Sequence, residues 1–301
     1  MNTFYSNGKL LITAEYLVLD GAEALALPTK FGQSLTIQPN SENVLNWKSF
    51  NDKQELWLNA SFKLKNNKLE SEIENEITTR LASILNTARV MNPEFLKDHV
   101  GYTIKTHLDF PTNWGLGTSS TLINNIADWA EINPYKLLEL TFGGSGYDIA
   151  CASNNSPITY QLDKKLPIVK PVVFHPEFSE NIYFVHLNQK QNSREGIAHY
   201  KSNTTDKTEA ITALNTITKA LLTCTDINVF NNLIEAHETI ISDIIKLEPV
   251  KSALFPNFSG SIKSLGAWGG DFVMVTSKEN PTTYFNLKGY YTILSYQDMI
   301  L

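Results

Sequence analysis

Cysteine is scarce in this 301-residue chain, which carries only Cys151 and Cys224. They form no Cys-x-x-Cys pair and have no neighbouring histidine pattern, which favours free thiols, with a disulfide between them as the lesser alternative. Both read as buried, reduced thiols. Positive charge is also short: 25 Lys and Arg against 31 Asp and Glu give a net charge of −6. That balance leaves no electrostatic footprint for nucleic acid or an anionic membrane, and a small molecule is the expected partner. Long apolar runs are missing as well. No stretch reaches the roughly 18 apolar residues of a membrane span, and Met1 to Lys9 lacks the basic and apolar regions of a secretory signal. A soluble, cytoplasmic protein is expected, as a monomer or a homodimer.

What remains is ordinary globular composition, with 42% hydrophobic, 11% aromatic and 19% charged residues. The length suits two domains or one large one, at about 100–200 residues per domain. Alternation predicts strands at Lys9–Thr13, Gly32–Pro39, Val44–Phe50 and Glu55–Lys63. Ile73, Ile77, Leu81, Ile84, Leu85 and Ala88 fall at helical spacing over Ile73–Met91, and Pro93 stops the run. A strand follows at Gly101–Asp109, then a glycine loop at Pro111–Gly117, then helices at Ser119–Glu131 and Tyr135–Phe142. Pro167, Pro171 and Pro176 follow the strand-like Ile158–Leu162 and set the expected domain boundary there, dividing 1–170 from 171–301. Beyond them the pattern predicts a strand at Ile182–Leu187, a polar turn at Asn188–Ser193 whose Ser193 caps a helix, and long helices near Asp206–Leu222 and Val229–Leu247. Lys263–Val275 and strands around Tyr284–Leu294 complete an α+β second half.

Four segments have residues suited to chemistry. Pro111-Thr-Asn-Trp-Gly115-Leu-Gly117-Thr118-Ser119-Ser120 lies between a strand and a helix, where glycines admit an anion and the helix start offers unpaired N–H groups to it. It lacks the Gly-Lys-Ser/Thr ending of a Walker A loop and fits a dinucleotide fingerprint poorly. Gly143-Gly144-Ser145-Gly146-Tyr147-Asp148 offers one carboxylate in a glycine-rich setting, either a turn residue or a group that orients a hydroxyl. Ser259 to Asp271 is rich in glycine ahead of an apolar strand, and taken alone is a hairpin turn more readily than a ligand loop. Gly8-Lys9 and Glu15 sit by the first strand, where a lysine can neutralise phosphate and a glutamate can pair with it or hold a ligand.

The order of these segments resembles that of the GHMP kinases, named for galactokinase, homoserine kinase, mevalonate kinase and phosphomevalonate kinase. Gly8 to Gly21 is similar to their first motif, Pro111 to Ser120 to the second, and Lys263 to Asp271 to the glycine-rich third. The Glu15-to-Gly21 run, Gly-Ser-Gly-Tyr-Asp and the Gly-Gly-Asp ending resemble phosphomevalonate kinases, with mevalonate kinases also near. Gly146-Tyr147-Asp148-Ile149-Ala150 further resembles a group of small GHMP kinases named GYDIA after those five residues.

The resemblance implies an α+β two-domain fold, with an N-terminal ribosomal protein S5 domain 2-like half over 1–170 and a C-terminal ferredoxin-like half over 171–301. It implies ATP and Mg²⁺ as cofactors, and a small hydroxy acid, mevalonate or 5-phosphomevalonate, as acceptor. Gly115, Leu116, Gly117, Thr118, Ser119 and Ser120 would wrap the ATP phosphates, with Ser119 facing the metal. Asp148 and Lys9 would be the catalytic pair, the first orienting or deprotonating the hydroxyl and the second steadying the transferring group. Glu15, Tyr16, Ser145, Gly146, Arg194, Lys263, Gly266, Gly269 and Gly270 would line the substrate side. Arg194, Lys190 and Lys263 are the cations available for a second phosphate, with solvated surface charge as the alternative for each. Ala14 and Trp268 stand where the motifs usually have glycine, and Glu139 is out of register for a metal-binding glutamate. Those two glycine replacements motivate an alternative, a GHMP-fold protein that binds a nucleotide or metabolite without catalysis; another small hydroxy acid or a sugar is the remaining alternative acceptor.

Overall fold

The computed structural model describes residues 1–97, 101–191 and 193–301, with the side chain of Ser193 also outside the description. In chain order the first elements are β1 (Asn2–Leu11), β2 (Ala24–Asn40), β3 (Leu45–Phe50), β4 (Leu56–Lys65), β5 (Lys68–Ser71), α1 (Glu76–Met91) and β6 (Gly101–Leu108). Next come α2 (Thr118–Ala130), α3 (Pro134–Thr141), α4 (Tyr147–Ala152), β7 (Ile158–Asp163), β8 (Leu166–Pro171) and β9 (Ile182–His186). The remainder is α5 (Ser193–Ser202), α6 (Thr208–Leu222), α7 (Ile227–Ile245), α8 (Val250–Leu254), β10 (Ile262–Ser264), β11 (Phe272–Thr276), α9 (Thr282–Asn286), β12 (Ile293–Ser295) and α10 (Tyr296–Met299). No helix among the described residues is long and apolar enough to cross a membrane.

Two compact units divide the chain: Met1–Gly8, Phe31–Thr112 and Leu116–Ser153 form one, and Lys9–Lys30, Asn113–Gly115 and Asn154–Leu301 form the other. In the first unit β5, β4, β3, β6 and the later part of β2 pair in that order, antiparallel except for the parallel β3–β6 pair. Its core sets Phe62, Trp47 and Ile104 of the strands against Leu85 of α1 and Ile126 of α2. In the second unit Ala24–Ala26 of β2 pairs with β7, which pairs with β8, and a separate antiparallel sheet runs β10-β11-β9-β12. Val185, Val273 and Val275 of that sheet pack with Phe255, Phe258 and Phe285.

Helix starts follow their caps. The side chain of Asn75 accepts from the Ile77 and Thr78 N–H groups in a capping box, so α1 starts at Glu76 and not at Ile73. Ile73 and Ile77, expected on the apolar face, are accordingly exposed, while Leu81, Ile84, Leu85 and Ala88 are buried. Asn133 caps α3 and Asp226 caps α7. The proline-bearing segment after β7 is a strand: among the described residues β8 pairs on one side only, with Pro167 opposite Leu162 and Pro171 opposite Ile158, an edge position that tolerates the missing N–H.

The strand expected around Tyr284–Leu294 is instead α9, a turn and the short β12. Asn280 accepts from the Thr282 N–H at 2.9 Å to start the helix, and Tyr284 and Phe285 turn their rings onto Phe255 and Phe258. Aromatic packing thus overrides local strand preference. Cys151 is buried and reduced as expected, whereas Cys224, also free, is only half-buried. The polar turn expected at Asn188–Ser193 includes Asn192, which lies outside the described residues, as does the side chain of Ser193, so the expected cap falls there too.

Replacing Ile84 with alanine is expected to cost about 2–5 kcal/mol in chemical denaturation, whereas the same change at Ile77 stays within about 0.5 kcal/mol. Equal losses would contradict the helix face defined by the Asn75 cap.

Candidate active site

Lys9 lies on β1, half-buried, and its Nζ donates to the carbonyl of Gly115 at 2.9 Å. Gly115 has φ 68°, and a Cβ there would overlap the Asp271 carboxyl group, so the loop backbone and that carboxylate are in close contact. Burial raises the Asp271 carboxyl above its ordinary value, opposed by the charge of Lys9, the Gln191 N–H, His186 and Lys190. His186 Nε2 donates to the Asn113 carbonyl at 3.1 Å, and the Trp114 ring meets Phe272 edge-on at 5.4 Å. Residues 113–115 are therefore fixed against β9 and β11 from both sides.

The two glycine replacements keep glycine-like backbone. Ala14 has φ 64° and Trp268 has φ 56°, left-handed conformations that cost an L-residue about 1–2 kcal/mol. Tyr16 also has positive φ, 64° with ψ −48°, and enters a short 3₁₀ turn, Leu17–Asp20, closed by Gly21 in the left-handed conformation. Residues 265–271 join β10 to β11 as a hairpin connection, the reading favoured for this segment taken alone. Gly266, Trp268, Gly269 and Asp271 all have positive φ, and the Asp271 N–H donates to the Gln189 carbonyl at 2.6 Å. Trp268 is buried and its Nε1 has no hydrogen-bond partner among the described residues.

Beneath this loop lies a buried ionic cluster. Lys263 Nζ donates to Glu15 Oε1 and, at 2.9 Å, to the Ser264 carbonyl, and it lies 3.6 Å from Glu238 Oε1. Glu238 Oε2 accepts from the Ser264 hydroxyl at 3.0 Å. His237 Nε2 accepts from the Ala14 N–H at 2.8 Å and is 3.3 Å from Glu15 Oε2. Glu15 and Lys263, expected to face substrate, are therefore engaged with each other, and the solvated charge considered as the alternative for Lys263 does not hold, since its exposure is 0%. Burial pushes the Glu15 carboxyl up to about 7 against the pull of Lys263, raises Glu238 likewise and holds His237 well below its ordinary value.

Tyr16 ties the same turn to two further elements. Its hydroxyl donates to the Ala267 carbonyl at 2.9 Å, and its ring stacks on Tyr200 of α5 at 5.5 Å. Gly196 of α5 has no side chain because a Cβ there would overlap the Tyr16 hydroxyl. Tyr200 in turn donates to Asp20 at 2.5 Å. Arg194 is exposed on this helix.

In the first unit, α2 starts at Thr118 with Gly117 at its N-cap in the left-handed conformation, φ 96°, and among the described residues no N-cap side chain bonds to its first N–H groups. The Ser120 hydroxyl donates back to the Gly117 carbonyl at 2.9 Å, and the Thr121 hydroxyl bonds within the protein, while Ser119 is exposed in the first turn. Such a helix start suits phosphate, and one exposed hydroxyl suits Mg²⁺, which takes most of its ligands from phosphate and water. Gly143, Gly144 and Gly146 all have positive φ and lead Ser145 and Tyr147 into α4, which packs on α2. Asp148 is half-buried in the first turn of α4, where its Oδ1 accepts from the Ile149 N–H at 3.2 Å. The nearby Tyr135 phenol is pushed up to about 12, chiefly by burial and then by Cys151 and Asp148. Glu139, on α3, pairs with Lys136 at 2.8 Å.

His237 and Glu238 are the residues that sequence reasoning passed over. They fall on the buried stripe of α7 with Phe230, Ile234, Ile241 and Ile245, so the available signal was two polar residues at apolar positions.

No protein-family model matches the chain, and no curated protein matches it. Solved structures do. Streptococcus pneumoniae phosphomevalonate kinase in complex with phosphomevalonate and AMPPNP is similar at 16% identity and TM-score 0.70, over 96% of this chain and 95% of that one. Methanococcus jannaschii mevalonate kinase gives 13% identity and TM-score 0.69 over 98% of each chain. A D-glycero-D-manno-heptose 1-phosphate kinase from Bacteroides thetaiotaomicron gives 15% and 0.68, over 99% and 95%. The chain has the α+β fold of the GHMP kinases.

Gly115→Ala is expected to destabilise the protein by about 1–3 kcal/mol, through positive φ and overlap with Asp271, whereas Ala14→Gly stays within about 1 kcal/mol of the parent. Equal and small effects in denaturant titrations would contradict the described loop geometry.

Proposed function

We propose that this protein is an ATP-dependent small-molecule kinase that transfers the γ-phosphoryl group to the hydroxyl of a small hydroxy acid, mevalonate or 5-phosphomevalonate. The observation that carries the reading is the Lys9, Gly115 and Asp271 constellation, in which an ammonium is held on the backbone of a glycine loop within a fold shared with kinases. Bound ATP·Mg²⁺ supplies the phosphoryl group and neutralises its developing charge. The uncapped start of α2 offers N–H groups to phosphate oxygens, with Ser119 as the hydroxyl for Mg²⁺ and Thr118 as its rival. Lys9 stabilises charge on the transferring group, and Gly266, Gly269 and Gly270 hold the hairpin loop close to phosphate. Asp148 accepts or orients the acceptor proton. Phosphoryl transfer asks for positioning and charge stabilisation more than covalent help, and this residue set supplies both.

The acceptor reading narrows through Lys263. Its ammonium is spent on Glu15 and Glu238, which leaves Arg194 and Lys190 as cations for a second phosphate. An acceptor without that phosphate, mevalonate or a similar hydroxy acid, is therefore the simpler fit. The S5-like and ferredoxin-like assignments over 1–170 and 171–301, a cytoplasmic location and a monomer or homodimer belong to the same proposal. Against the non-catalytic alternative, which Ala14 and Trp268 motivate, stands the presence of both Lys9 and Asp148, since a protein that only binds has no need of a group to accept the acceptor's proton.

An ADP-release assay with ATP·Mg²⁺ and mevalonate, 5-phosphomevalonate, homoserine or galactose tests this. Turnover is expected with one hydroxy acid and is expected to fall about 10²-fold or more in Asp148→Asn. A variant as fast as the parent, or ATP binding without transfer to any acceptor, would overturn the kinase reading as stated.

A further inference from the structure

The Glu15, Lys263, Glu238 and His237 cluster does more chemistry than the proposed transfer uses. Its side chains are 0–4% exposed, and they come from three places: the turn after β1, the first strand of the hairpin and the middle of α7. Glu15 Oε2, Glu238 Oε1 and His237 Nδ1 have no hydrogen-bond partner among the described residues.

Counting protons defines the state. His237 Nε2 accepts from the Ala14 N–H, so that nitrogen carries no proton and the ring is neutral with its proton on Nδ1. Two carboxylates, one ammonium and a neutral imidazole sum to one negative charge, and an uncompensated buried charge is strongly unfavourable. One added proton makes the cluster neutral. Glu15 Oε2 lies 3.3 Å from His237 Nε2, whose one lone pair is already taken by the Ala14 N–H, so this buried oxygen has no donor to support a negative charge. Oε2 of Glu15 is therefore where the proton belongs.

We propose that these four residues form a one-proton latch between the Ala14–Tyr16 turn and the hairpin that begins at Lys263. Holding the proton, the latch is neutral and the turn grips the hairpin; losing it, the latch carries a net negative charge and the grip of the hairpin loop on ligand phosphate weakens. Glu15 is on this view a positioning residue and makes no contact with substrate. The coupling to phosphate rests on the kinase reading above. It runs through Lys263 and Ser264 at the base of the loop and through Tyr16, next to Glu15, at the Ala267 carbonyl.

The direction of the pH effect follows from burial. A carboxyl raised from its ordinary 4.5 to about 7 stabilises the fold fully below 4.5, and that contribution is lost as pH rises to about 7. Glu238, raised in the same direction, shares the titration, and His237 stays neutral throughout.

Thermal unfolding of the full chain between about pH 5.5 and about pH 8.5 tests the latch, with and without ATP·Mg²⁺, for the parent, Glu15→Gln and Glu238→Gln. Glu15→Gln is expected to exceed the parent's Tm by a margin that widens by about 3–6 °C between the acid end and about pH 7 and then levels off, because the amide cannot ionise. Nucleotide affinity is expected to weaken several-fold more in the parent than in the variant across the same range. A constant Tm deficit in Glu15→Gln at every pH, with the parent's slope unchanged, would overturn the proposal. So would a flattened stability profile with nucleotide affinity that changes identically in both proteins. If Glu15→Gln does not fold, Glu238→Gln removes the second carboxylate and carries the same expectation. A parent that binds no nucleotide at any pH fails the kinase reading, whereas one that binds it without the predicted difference from the variant fails the latch.

Discussion

A lysine ammonium with no exposure to solvent constrains everything around it. Lys263 cannot stay charged in the interior without anions, and the two carboxylates that serve it come from different parts of the chain, Glu15 from the turn after β1 and Glu238 from α7. Bringing them together fixes the base of the hairpin, and the Ala14 N–H on His237 fixes the turn. Ala14 and Tyr16 can then be held at positive φ, which an isolated chain avoids, because ion pairing, hydrogen bonding and packing over-determine them. Tyr16 extends the constraint to the Ala267 carbonyl and, through Gly196 and Tyr200, to α5.

The second constraint is the close approach of backbone to side chain at Gly115. With Lys9 on its carbonyl and Asp271 against its Cα, the loop has little freedom before any ligand arrives. Preorganisation of this kind suits phosphoryl transfer, where fixed donors and cations contribute more than new bonds to the protein.

Much of this was legible in the sequence wherever a physical rule acts locally. The glycine loop before α2, the helices at α1, α2, α6 and α7, and the hairpin at Ile262–Thr276 follow from periodicity and glycine placement. What escaped depends on distant partners. β8 hides behind prolines that only an edge position permits, and α9 looks like a strand until Phe255 and Phe258 take up its aromatic rings. Glu15 and Lys263 were visible as motif residues, but their mutual burial was not, because nothing in a linear pattern says which charges share an interior. His237 and Glu238 left one trace, polar residues on an otherwise apolar stripe of α7.

Backbone hydrogen exchange with and without ATP·Mg²⁺ addresses the central claim, that the glycine loop and the hairpin loop hold nucleotide phosphate. The account predicts slower exchange on nucleotide addition at residues 115–120 and 266–271, with little change in β4 or α1. Unchanged exchange in both loops, or protection confined to other segments, would contradict it.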